Sequence, residues 1–183
     1  MQMKRLATVL AVVTLALSAC GSKEEAKKHN EADVEFVQGM IPHHEQALEM
    51  AELASKHANS PDVKTIASTI NTKQEEEIKT METLLHEWGV EKEKEMSGSA
   101  GMSGGMHPGM LSDAQLKELE EARGVEFDKL FLKGMVEHHK GAITMAEEAE
   151  HKGENKEVKK LAAEIKRGQE REIEEMEKEL VGL

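Results

Sequence analysis

The chain has almost nothing to stack and only one residue to cross-link. Of its 183 residues only 2% are aromatic, tyrosine is absent, and there is a single cysteine. An internal disulfide and a cysteine-cluster metal site are both excluded. A core without rings must be built from Leu, Ile, Val, Ala and Met, which suits packed helices better than sheets. Basic residues are outnumbered, 24 Lys and Arg against 36 Asp and Glu, for a net charge of −12. Such a surface repels nucleic acid and attracts cations.

The one cysteine sits at an informative place. Lys4 and Arg5 precede the apolar run 6–17, which is too short to span a bilayer and reads as the core of an export signal. It ends in Leu17-Ser18-Ala19-Cys20, which looks like a bacterial lipoprotein processing box. The expectation is a signal peptide over 1–19, lipidation of Cys20, and a polar tether over 20–30. Acyl chains would anchor the protein to a membrane on its extracytoplasmic side. In that oxidising compartment, with no free thiol, a soft-metal site must rely on methionine.

What the chain does have is a duplication. Residues 39–51 (GMIPHHEQALEMA) and 134–146 (GMVEHHKGAITMA) align without gaps at an offset of 95 residues. The same offset pairs Asp33 with Asp128, Phe36 with Phe131, Gln74 with Gln169 and Met81 with Met176. Two such units read as two helical hairpins that stack to bury their apolar faces. The fold class is therefore all-α: a four-helix bundle with a short extra helix in the connection. Repeat one covers 31–89, a Met/Gly-rich linker 90–111, the short helix 112–123 and repeat two 126–183. Within the repeats, helices are expected from about Glu31 to His57, Pro61 to Trp88, Glu126 to His151 and Asn155 to Val181. Ser60-Pro61-Asp62 supplies an N-cap, a proline at the first helical position and an acid in the first turn. Ser112 to Gln115 forms a capping box, and Gly124 is read as the stop of the short helix. Residues 96–110 (MSGSAGMSGGMHPGM) read as flexible.

Both copies of the short motif set two adjacent histidines between two methionines. At about 100° per residue, Met40, His43, His44, Ala47, Met50, Ala51 and Ala54 fall within about 120°, the width of a buried stripe. Met135, His138, His139 and Met145 repeat the pattern. Thioether sulfur and imidazole nitrogen are the ligand set that soft, monovalent copper prefers. Burying paired histidines twice is costly without a purpose, although methionine at helical spacing is also ordinary core filler. Met81 and Met176 are weaker candidates, as are Met96, Met102, Met106, His107 and Met110 of the linker. Gln74 and Gln169 interrupt apolar stripes on the partner helices. They serve either to orient the histidines as outer hydrogen-bonding groups or to set the bundle's register.

The stretches FVQGMIPHHEQALEMA and FDKLFLKGMVEHHKGAITMAEEA, with LSDAQLKELEEARG before the second, resemble the bacterial domain-of-unknown-function family 305. The resemblance covers nearly all of 31–183. It implies a ferritin-like helical bundle that binds copper outside the cytoplasm, and it points at Met40, His43, His44, Met50, Met135, His138, His139 and Met145. Pro42 and Glu45 become Glu137 and Lys140 in the second copy, so the two halves need not be equivalent.

The leading expectation is a non-enzymatic, lipid-anchored protein that binds copper, Cu(I) rather than Cu(II), and also Ag(I). It would serve sequestration, tolerance or delivery. Its partners would be the metal ion, the membrane through Cys20, and either a copper-accepting protein or a second copy of itself; nucleic acid is not among them. The alternatives are a metal-free structural or stress-related bundle, a di-iron site and a haem site. A di-iron bundle needs two Glu-x-x-His motifs, and only Glu148-x-x-His151 is present. Haem would lack a Cys-x-x-Cys-His attachment and aromatic packing.

Overall fold

The computed structural model describes residues 28–92 and 107–183. Cys20, the expected signal peptide and most of the tether lie outside the described residues, as do Met96, Met102 and Met106. Five helices are described: α1 Glu31–His57, α2 Pro61–Trp88, α3 Asp113–Glu121, α4 Gly124–Lys152 and α5 Lys156–Gly182. None of them is long and apolar enough to cross a membrane.

The helix starts follow local chemistry. Asn30 and Ser112 each close a capping box, and Ser60 and Asn155 accept from the first free amides of α2 and α5. Gly89, at φ 70°, ends α2. One boundary differs from expectation. Gly124 does not stop α3, which already ends at Glu121; at φ 66° it opens α4, two residues before Glu126. The N-cap residue is the extended Arg123, whose guanidinium cannot accept an amide hydrogen, so α4 starts without a side-chain cap.

Helices α1 and α2 form one hairpin, α4 and α5 the other, and α1 lies along α4. The ends lock reciprocally. Asp128 at the start of α4 accepts amide hydrogens from Asn59 and Ser60 in the turn of the first hairpin, both at 2.9 Å. Its counterpart Asp33 accepts from Glu154 and Asn155 in the turn of the second hairpin, at 3.1 and 3.0 Å. Each repeat thus caps the other's turn, and α1 runs antiparallel to α4 about a pseudo-twofold axis.

The connection back to α4 crosses the groove between α1 and α4. Residues 107–110, within the stretch expected to be flexible, are seated together with Leu111, which is buried. Gln46 donates to the Leu111 carbonyl oxygen (2.9 Å) and accepts from its amide (2.7 Å). A Cβ at Gly141 would stand 1.7 Å from the Pro108 carbonyl oxygen, so only glycine lets the strap lie there. Gln46 and Gly141 are equivalent positions of the two repeats, and they differ because one anchors the strap while the other makes room for it.

The apolar core divides in two along the bundle axis. One half holds Phe36, Val37, Met40 and Ile41 with Ile78, Met81, Ala142, Ala146 and Ile165. The other holds Ala47, Met50 and Ala51 with Val63, Ile70, Phe131, Met135 and Met176. On every long helix a polar step separates the halves: His43 and His44, Gln74, His138 and His139, Gln169 and Glu172, all buried.

Candidate metal centre

This polar step is a layer across the middle of the bundle. His43 and His138, equivalent residues of the two repeats, meet on the pseudo-twofold axis with ring centroids 3.8 Å apart and planes tilted by 42°. All four histidines are fully buried. Their helices put them there because positions 43 and 44 flank the centre of the apolar stripe, and small residues at 47, 51 and 54 allow close approach.

The hydrogen bonds determine which nitrogen of each ring is available. His44 Nε2 lies 2.8 Å from Glu77 Oε2, and His139 Nε2 lies 2.8 Å from Glu172 Oε2. His43 Nε2 lies 3.0 Å from the Pro108 carbonyl oxygen, which can only accept. In each case the ring donates from Nε2, so Nδ1 carries the free lone pair. Those three Nδ1 atoms, and both nitrogens of His138, are buried without a protein partner. An imidazole held by a carboxylate on one nitrogen and free on the other is the usual form of a metal-ligating histidine.

Burial also favours the neutral form of three of the rings, His43, His138 and His139. Loss of hydration lowers the His43 pKa to about 3 against the partly opposing Pro108 bond. Burial and the neighbouring rings push His138 well below its ordinary value, and burial outweighs Glu172 to lower His139. Burial alone would raise Glu172, but hydrogen bonds from His139 and Lys73 hold it below the usual carboxylate range. Lys73 Nζ sits 2.5 Å from Glu172 Oε1. The equivalent position in the other repeat is Gly168, so Glu77 lacks such a partner and is only half-buried.

Thioethers bracket the layer in two groups. Met40 and Met81 belong to one half-core, with Met145 of the other repeat packed against it. Met135 and Met176 belong to the other half, together with Met50. Each group takes two methionines from one repeat and one from its mate. Seven of the eight motif residues are fully buried; Met145 alone is half-exposed. His107 and Met110 are half-buried on the strap, and the remaining linker methionines lie outside the described residues.

Gln74 and Gln169 sit in the layer, but neither amide is hydrogen-bonded to a histidine; all four polar atoms are buried and unpartnered. The carboxylates that orient the rings are Glu77 and Glu172, which the sequence reading missed. Their mutual offset of 95 and their place one helical turn beyond Gln74 and Gln169 were the available signals. Among the described residues no three His, Asp or Glu side chains form a ready metal site, so an ion held here would draw on sulfur. Glu148 and His151, the half-motif of a di-iron site, are both exposed, outside the buried layer.

The family described as "Domain of unknown function (DUF305)" matches residues 33–180. No curated protein matches the chain. Among solved structures, a DUF305 fragment from Deinococcus radiodurans is 30% identical, with a TM-score of 0.75, covering 84% of this chain and 98% of that one. CopM in its Cu(II)-bound form is 33% identical, with a TM-score of 0.70, covering 82% of this chain and 96% of CopM. CopM in its Cu(I)-bound form is 32% identical, with a TM-score of 0.65, covering 80% of this chain and 93% of CopM. Silver-bound CopM is also similar, at 30% identity and a TM-score of 0.64, covering 80% of this chain and 92% of CopM.

Proposed function

The chain belongs to the DUF305 family, and from that premise we propose that it binds copper, with silver as a chemical surrogate, in the central histidine layer. The observation that carries the reading is the set of fully buried imidazoles whose Nε2 is anchored and whose Nδ1 is unpartnered. Each unsatisfied buried group costs about 1–3 kcal/mol, a cost that a coordinated ion would offset. The candidate nitrogen donors are the Nδ1 atoms of His43, His44 and His139 and either nitrogen of His138, no more than two of them to one ion, with thioether sulfur completing the set. The thioethers of Met40 and Met135, three residues before His43 and His138, are the closest in sequence. Neutral nitrogen and sulfur donors, without thiolate, favour Cu(I) over Cu(II).

No catalytic step is needed for this role. Weak, exchangeable thioether ligands suit holding and release, so the protein would sequester copper or hand it to an accepting protein. An export signal over 1–19 and lipidation of Cys20 would put that activity on the extracytoplasmic side of a membrane. Similar structures named as CopM bound to Cu(I), Cu(II) and Ag support the choice of metal. A DUF305 structure from Streptomyces coelicolor, described as a candidate secreted protein, supports the location.

The test is a Cu(I) titration against a competing chelator, with Zn(II) as control. Tight Cu(I) binding that disappears when His43, His44, His138 and His139 are all replaced by asparagine is expected. Equal binding by that variant, with its helicity intact, would mean that copper is held elsewhere and the layer is structural; no tight binding by the wild type would leave a metal-free structural bundle as the better reading.

A further inference from the structure

The pseudo-twofold symmetry fails at one place that bears on how an ion reaches a buried layer. Gly39 and Gly134 are equivalent, and each faces the methyl end of a methionine from the other repeat. A Cβ on Gly134 would stand 3.4 Å from Met50 Cε and 3.2 Å from Leu111 Cδ2. A Cβ on Gly39 would stand 3.2 Å from Met145 Cε, 3.2 Å from His107 Nδ1 and 2.7 Å from His107 Cε1. The strap thus sets a leucine against one glycine and an imidazole against the other. Met50 is fully buried, whereas Met145 is half-exposed.

Both sides carry a surface cavity, but the one beside Gly134, of about 420 Å³, is lined by Leu111 and by no imidazole. His107, Met145 and Gly39 line a cavity of about 380 Å³ at the surface, with Glu35, Glu148 and Lys152 among its walls. Two carboxylates against one ammonium leave it cation-attracting. Gly39 lies one turn before His43 on α1, about 6 Å along the axis. Met145 lies two turns beyond His138 on the same face of α4, about 10 Å along. The residue after His107 is Pro108, whose carbonyl oxygen holds His43 Nε2. One short strap therefore touches both the open cavity and the buried layer.

We propose that His107 and Met145 form a two-ligand, solvent-open subsite for Cu(I) or Ag(I) in the space that Gly39 leaves, and that ions load the buried layer through it. This rests on the reading that the layer holds copper. One imidazole nitrogen and one thioether make a weak, two-coordinate soft-metal site, which suits a loading point because the ion must leave it again. Passage inward is ligand exchange along α1 and α4, with no change in the ion's charge or oxidation state.

The probe is Cu(I) presented as its coloured bicinchoninate complex, with bleaching followed by stopped flow. The double variant His107→Ala/Met145→Leu is expected to take up Cu(I) at least about tenfold more slowly than the wild type and to lose the weaker bound equivalent. Gly39→Ala fills the space without deleting a ligand, and it should slow uptake in the same direction. Far-UV circular dichroism checks that both variants keep their helices. Wild-type uptake rate and stoichiometry in the folded double variant would overturn the subsite. Failure of the wild-type protein itself to take Cu(I) from the complex would overturn the copper reading beneath it.

Discussion

His138 is the residue with most to lose from folding without a ligand: both ring nitrogens are buried and neither has a partner. A structural histidine would be stabilising, whereas a ligand histidine is a cost to the metal-free protein. Replacing His138 with leucine should therefore raise the metal-free unfolding free energy by about 1–3 kcal/mol, read from the urea midpoint, while lowering Cu(I) affinity. A less stable variant would mean that the ring is there for packing. Glu77 and Glu172 act one step further out. Alanine at either should weaken Cu(I) binding by about 10–100-fold in a competition titration, because the ring it orients is freed to turn. The histidines were legible in the sequence because paired imidazoles at repeated helical spacing are rare and expensive. The carboxylates were not, because Glu77 closes the run Glu75-Glu76-Glu77 in a chain with 36 acidic residues. Only the geometry separates a working carboxylate from a solvated one.

At the scale of elements, the two aspartates and the strap do most to hold the arrangement. Asp128 accepts two amide hydrogens from the opposite hairpin's turn, and each charge-assisted bond contributes more than a neutral one. Asp128→Ala should destabilise the protein by about 3 kcal/mol, measured by chemical denaturation; a loss well under 1 kcal/mol would mean that water replaces the clasp. The strap is held at His43 and Gln46 and fits only over glycine at position 141. Gly141→Ala should lift residues 107–111, and faster amide exchange at Leu111 would report it. The helices themselves were readable from caps and periodicity to within one or two residues. The strap was not, because its Gly/Ser-rich composition signals only freedom. Its anchors, His43, Gln46 and Gly141, are remote in sequence and lie partly where the repeats diverge.

Across the whole molecule, the duplication builds two apolar halves with an ionisable layer between them, and this couples stability to pH. His43 titrates near 3 in the folded protein against an ordinary 6.5, and His138 and His139 are lowered too. Between these values the unfolded chain binds more protons than the folded one. Metal-free stability is therefore complete above about pH 6.5 and falls as the pH drops towards 3, by up to about 1.4 kcal/mol per pH unit for each histidine. A melting temperature that is flat from pH 7 to 4 would contradict this. The asparagine variant of all four histidines should show a shallower profile. The central claim, that the layer is where copper sits, is tested most directly by anomalous diffraction at the copper edge from crystals grown with Cu(I). Copper held in the layer gives a peak among His43, His44, His138 and His139, within bonding distance of at least one Nδ1 atom. Copper peaks confined to the surface, with the layer's nitrogens left as they are, would contradict it.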